Sequence, residues 1–166
     1  MSYARNNVDF RMAVEVRGAW RSKAPFGKPR GSNPAAKLGL RYERSVGREL
    51  ERHVRPDALG AIEHNPWFTF SDAYGTSSCS PDYLIWIGNR VVIVEVKLTW
   101  VDVAMTKLLE LYCPVVSIAL GAQVMPLVIC RNTLPRAPRG HSTLVQALTS
   151  HEKLLLWPQI GHIPWE

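Results

Sequence analysis

The chain has 166 residues, 46% hydrophobic and 20% charged, which suits one ordinary domain with a real core and excludes wholesale disorder. Lys and Arg outnumber Asp and Glu by 20 to 14, a net charge of +6. No apolar run in the sequence approaches the roughly 20 residues of a membrane span, and MSYARNNVDF lacks the apolar stretch of a secretion signal, so the expectation is a soluble, cytoplasmic protein.

That charge is unevenly placed. Residues 1–48 contain 11 basic and 3 acidic side chains, whereas the remaining 118 contain 9 and 11. A basic first third on a near-neutral body points to a polyanionic partner, most often nucleic acid; a merely soluble basic surface is the alternative. Cys79, Cys113 and Cys130 are odd in number, widely spaced and form no CxxC pair. They speak against a disulfide scaffold or a structural zinc site and read as small buried apolar residues.

Residues 8–17 alternate, with Val8, Phe10, Met12, Val14 and Val16 on one face and Asp9, Arg11, Glu15 and Arg17 on the other, as in a half-buried strand. The Gly-, Pro- and Ser-rich stretch 18–36 reads as a mobile basic loop, which leaves the strand before it free to pair within its own sheet or with a second subunit. From Lys37 to Val54 the period is helical. Gly39, Val46, Leu50 and Val54 share one face, and Arg41, Arg44, Arg48, Arg52 and Arg55 form a stripe on the other. Most such stripes are simply solvated, but this one would also suit a row of phosphates. Glu43 falls within the apolar face, where a carboxylate must be paired, protonated or metal-bound; a core salt bridge is the structural explanation.

Residues 67–74 read as a short strand. Two apolar runs, Pro81–Ile87 and Arg90–Leu98, flank Gly88-Asn89, a two-residue hairpin signal. Residues 101–113 read as a helix with Val101, Ala104, Leu108, Leu111 and Tyr112 on its apolar side; Pro114 marks a kink or an end, with Val115–Leu120 a candidate extension. Then follow a buried strand at 124–131, a basic proline-containing loop at 132–140, a weak helix around 142–150 and a tail with Trp157 and Trp165.

The hairpin carries the chemistry. Its turn places Asp82 opposite Glu95, on one face and with Cβ atoms about 4.5–5.5 Å apart, and Lys97 joins them two residues on. Leu84, Trp86, Val91 and Ile93 share that face, while Tyr83, Ile85, Ile87, Val92, Val94 and Val96 fill the other, so both strands should be central and covered on both sides. Two opposed carboxylates repel each other, the more so when buried. A hard divalent cation, Mg²⁺ or Mn²⁺, would compensate them. Lys97 alone would do so in part, but leaves Glu43 unexplained as a third carboxylate.

Ser80-Pro81-Asp82, followed by Glu95-Val96-Lys97, resembles the signature of the PD-(D/E)XK nuclease superfamily. The stretch KLGLRYERSVGREL, beginning at Lys37, is similar to the first helix of Holliday-junction-resolvase-like and phage-encoded members. The resemblance covers residues 37–131. It implies a restriction-endonuclease-like α/β core, a helix, three antiparallel strands, a crossover helix and a fourth strand in a mixed central sheet. It further implies metal binding by Asp82, Glu95 and the Val96 carbonyl, with Glu43 completing the set directly or through water, and a catalytic Lys97 that places the attacking water. The chain departs from several relatives at Lys107, which stands where they carry a Gln, five residues before Tyr112; it reads either as a phosphate contact or as a solvated helix-edge lysine.

The expected organisation is an N-terminal strand and basic loop over 1–36, a nuclease core over 37–131 and a C-terminal extension over 132–166 packing on it. The expected function is metal-dependent DNA endonuclease activity, selective for branched or Holliday-junction DNA, by a homodimer and in a bacterial cell if phage-encoded. Arg41, Arg44, Arg48, Lys37 and Lys107 are the expected DNA contacts. An exonuclease or restriction-like endonuclease is the alternative within this chemistry, and a non-catalytic DNA- or RNA-binding module the alternative outside it. His53, His64, His141, His151 and His162 show no metal-ligand spacing and are given no role. No GxSxG or phosphate-loop pattern is present.

Overall fold

Ten residues rich in β-branched side chains, RVVIVEVKLT, form the strand around which the molecule is built. The fold comes from a computed structural model that describes residues 2–3, 15–24, 33–53, 61–132 and 154–156. In chain order the strands are β1 (Ser2–Tyr3), β2 (Gly18–Ser22), β3 (Ile62–His64), β4 (Trp67–Asp72), β5 (Gly75–Cys79), β6 (Tyr83–Ile87), β7 (Arg90–Thr99), β8 (Gln123–Asn132) and β9 (Leu154–Leu156). Helix α1 is Pro34–His53; α2 (Asp102–Lys107) runs through a π-helical turn, Leu108–Tyr112, into α3 (Cys113–Leu120).

The chain is an α/β protein with a mixed central sheet flanked by helices. That sheet has the order β3-β6-β7-β8-β9, in which β3, β6 and β7 are antiparallel neighbours and β7, β8 and β9 run parallel. The helical segment 102–120 makes the crossover that a parallel β7–β8 pair requires. The hairpin register is the expected one, Tyr83 facing Val94 and Ile87 facing Arg90. Gly88 takes φ 60°, the positive-φ position that a two-residue hairpin turn demands.

Strand β7 sends its side chains alternately into two cores. Val92, Val94 and Val96 pack with Tyr83, Ile85, Leu127 and Ile129 beneath Tyr42, Val46 and Leu50 of α1. Val91 and Ile93 pack on the other side with Leu84, Val128, Phe68, Phe70 and the helix residues Leu108, Leu111, Tyr112, Val115 and Val116. Both faces of the hairpin are therefore covered, as expected.

Several expectations are corrected. Strand 67–74 belongs not to the central sheet but to a second one, order β1-β5-β4-β2, where Phe68 and Phe70 turn inward and Thr69 pairs its hydroxyl with Ser78. The third antiparallel strand of the central sheet is instead β3, three residues long. Within the stretch read as loop, Gly18–Ser22 is a strand, because its backbone pairs with Trp67–Ser71 along the open edge of β4. The alternating segment at 8–17 lies largely outside the described residues, and Glu15–Arg17 is not strand. Helix α1 starts three residues early: the Asn33 side chain accepts the Ala36 N–H at 2.6 Å, and Pro34 takes the first helical position, where its missing N–H costs nothing.

Pro114 does not end its helix. The Cys113 N–H donates to Leu108 O, a wide i→i−5 turn that carries the chain past a residue without an N–H. The resulting 19-residue helix, mean hydropathy 1.6, is long and apolar enough to cross a bilayer, which the sequence reading did not anticipate. Its buried residues nevertheless pack on the sheet. Strand β9 adds a parallel neighbour to β8, while the helix expected at 142–150 and both tail tryptophans lie outside the described residues. All three cysteines are free, with Cys79 and Cys130 buried and Cys113 half-buried.

Besides their shared core, the two sheets are linked by an ion pair. Arg21 of β2 donates to both Glu63 oxygens of β3, at 2.6 and 2.7 Å, and the Trp86 indole of β6 donates to the same carboxylate at 2.8 Å. Hydrogen bonding from Arg21 holds the Glu63 carboxyl below its usual range, outweighing burial. Because the folded-state pKa is depressed, the stabilisation is complete above the unfolded value near 4.5 and is lost as pH falls through the folded one. Glu63→Gln, which keeps an acceptor for Trp86, should therefore cost about 1 kcal/mol at pH 7, roughly 2–4 °C in Tm. The difference from wild type should shrink progressively below pH 4.5 in thermal melts; a pH-independent difference would mean that the charge is not what matters.

Candidate active site

The ladder between β6 and β7 ends at Tyr83–Val94, one step short of Asp82 and Glu95. Asp82 sits in a bend, and its side chain replaces the missing backbone partner: Oδ2 accepts the Val96 N–H at 2.7 Å. Glu95 is buried, 2% exposed, and points to the α2 side of the sheet. Its Oε1 meets the Lys97 ammonium at 2.7 Å and that of Lys107 at 3.7 Å. Its Oε2 is buried and has no hydrogen-bond partner among the described residues.

The electrostatics follow from this crowding. Burial, then Glu95, then Glu43 push the Asp82 carboxyl well above the usual range, against Lys97 and the Val96 N–H. For Lys97, burial works against the charge, but Glu95, Asp82 and Glu43 outweigh it and favour the ammonium.

Glu43 reaches the site from α1, on the opposite face of the sheet. Half-buried, it has its Oε1 3.4 Å from His64 Nε2. The Tyr83 hydroxyl donates to the Glu43 carbonyl at 3.0 Å and so anchors this turn of α1 to β6. That contact depends on Gly47, where a Cβ would collide with the Tyr83 hydroxyl. Val96 is buried between Glu95 and Lys97 with its side chain beneath α1.

Of the residues expected to bind DNA, Lys37, Arg41, Arg44 and Arg48 are exposed along α1, with Arg48 donating to Ser45 Oγ at 3.0 Å. Arg52 is exposed and pairs with Glu49 at 2.7 Å; Arg55 lies outside the described residues. Lys107 is not a helix-edge lysine in solvent. Its side chain is 16% exposed and its Nζ stands 4.6 Å over the Tyr112 ring. Tyr112 is core, as expected, and its hydroxyl donates to Ser80 O at 3.0 Å.

His64 and Asn65 were given no part by the sequence. They reach the site only through the pairing of β3 with β6, and a strand of three residues has no readable period.

Among the described residues, no three His, Cys, Asp or Glu side chains form a ready-made metal cage. What the site does offer is hard oxygen: two mutually repelling carboxylates, one with a buried, unpartnered oxygen. That donor set fits Mg²⁺ or Mn²⁺ held by few protein groups with water in the remaining positions.

No known family model matches the chain, and no curated protein does. Among solved structures it is similar to the protein VC1899 from Vibrio cholerae, at 14% identity and a TM-score of 0.42 over 76% of this chain and 33% of that one. The chain thus spans about a third of that protein's length, and a likeness this loose assigns no function.

Gly47→Ala should destabilise the protein by about 1–3 kcal/mol through overpacking, in spite of alanine's roughly 1 kcal/mol helical advantage. Adding Tyr83→Phe, which removes the colliding hydroxyl, should recover part of that loss in urea unfolding. Simple additivity of the two changes would show that they do not meet.

Proposed function

We propose that the chain is a divalent-cation-dependent DNA endonuclease of the PD-(D/E)XK type, acting on branched duplex DNA. The observation that carries this reading is the convergence of Asp82, Glu95 and Lys97 at the open end of the β6–β7 hairpin, with one Glu95 oxygen buried and unpartnered. An unsatisfied buried acceptor is costly, and a bound cation would give that oxygen its partner.

Asp82, Glu95 and the Val96 carbonyl would hold the cation, with Glu43 completing the set directly or through water. When bound, the cation supplies charge neutralisation at the scissile phosphate and a lowered pKa for its water. Lys97, kept as an ammonium, orients the attacking water and stabilises the negative charge that develops on the phosphorus oxygens. Lys107 lies close enough to Glu95 to meet the same phosphate from the α2 side. The exposed row of Lys37, Arg41, Arg44 and Arg48 runs along the solvent face of α1, away from the face that carries Glu43, and would track the backbone. Positive charge there binds without reading sequence, which favours selection by DNA shape.

Four-way junction, duplex and single-stranded DNA, each with Mg²⁺ or Mn²⁺, test the reading. Wild type should cut the junction best, and Asp82→Asn, Glu95→Gln or Lys97→Met should each lower the rate by at least 10²–10³-fold. Binding without cutting under either cation would overturn the nuclease and leave a nucleic-acid-binding module. Arg41→Ala and Arg44→Ala should weaken binding to every DNA alike, each reducing the slope of log K against log salt by about 1. An unchanged slope would remove α1 from the interface.

A further inference from the structure

The two acids Glu43 and Asp82 sit on different elements, α1 and the bend before β6, on a site whose charges push them apart. Both are tied to one dipeptide at the end of β3. The Asn65 N–H donates to Asp82 O at 2.9 Å, and Asn65 adopts φ 49°, a left-handed conformation that asparagine tolerates better than most residues. Its side-chain amide lies 2.7 Å from His64 Nε2, the same nitrogen that stands 3.4 Å from Glu43 Oε1; an Nε2–H given to that carboxylate requires the amide to turn its oxygen, and not its NH2, toward the ring. The His64 ring stacks on Tyr83, centroids 4.8 Å apart and planes 18° from parallel, and Tyr83 in turn bonds the Glu43 carbonyl.

We infer that His64 and Asn65 are positioning residues that set Glu43 against Asp82, so that the third carboxylate is presented to the cation and not merely held near it. The inference rests on the nuclease reading above. A left-handed Asn just past a three-residue strand and an imidazole half out in solvent do little for the core. They make sense as a brace between two groups that must not drift. A ligand carboxylate is ordinarily oriented by such an outer partner, whose loss costs 10–100-fold in metal affinity or activity.

The test uses the full chain and two readouts: Mn²⁺ binding by electron paramagnetic resonance and junction cutting with kcat and KM separated. His64→Phe keeps the ring stack on Tyr83 but removes the nitrogen; Asn65→Gly keeps the left-handed backbone but removes the amide. Each should weaken Mn²⁺ binding and lower kcat by 10–100-fold, leave KM for DNA within twofold and keep Tm within a few degrees. His64→Gln, which restores a donor, should recover part of the loss. If wild type binds Mn²⁺ and cuts, Asp82→Asn abolishes both, and the two variants match wild type, the brace is overturned and the nuclease stands. If wild type neither binds Mn²⁺ nor cuts, the reading beneath fails and the brace falls with it. A fall in Tm that accounts for the whole loss, without rescue by His64→Gln, would also overturn it.

Discussion

Much of the site is arranged around one unfavourable interaction: Asp82 and Glu95, two carboxylates, held together where the central hairpin opens. In an apolar setting this repulsion is far larger than at a surface, and it sets what its neighbours must be. One Asp82 oxygen takes the Val96 N–H, one Glu95 oxygen takes two ammonium groups, and the carboxyl of Asp82 is still driven well above its ordinary range. Folding alone would be better served by apolar residues of the same size, since buried ionic groups seldom gain more than their desolvation costs. On stability alone the cluster is a cost, which the proposed cation would offset.

The alternation of β7 explains how three elements reach one point. Its even-numbered valines face α1 and its odd-numbered residues face the 102–120 helix, so Glu95 and Lys97 continue the row of Val91 and Ile93 toward Lys107. Glu43 comes from the other face and can meet them only beyond the end of the ladder, where the sheet no longer separates the two layers. A site at this end draws charge from both cores without interrupting either.

What the sequence made legible followed from short-range rules. The Gly88-Asn89 turn set the register, and the register set the faces on which Asp82, Glu95 and Lys97 lie. The stripe of α1 was equally readable, because its arginines are spaced by the helical period and stay exposed. The rest depends on pairings between distant segments. Gly18–Ser22 has the composition of a loop and becomes a strand only because β4 offers an open edge. Strand β3 is too short for a pattern, yet it brings His64 and Asn65 against Glu43 and Asp82. Glu63 and Arg21 are 42 residues apart and meet only when the two sheets do.

Lys107 shows how a local anomaly can have a non-local effect. In a regular α-helix, residues five apart point about 140° away from each other, so Lys107 and Tyr112 would face different surroundings. In the π-helical turn at Leu108–Tyr112 the i→i+5 positions come nearly into line, and the Lys107 ammonium lies over the Tyr112 ring while remaining near Glu95. The wide turn has a covalent cause two residues on, where Pro114 has no N–H to give to the preceding turn. The wide turn leaves Lys107 only 16% exposed, beside Glu95 rather than in solvent. It turns a departure from the expected Gln into a second cation facing the same carboxylate.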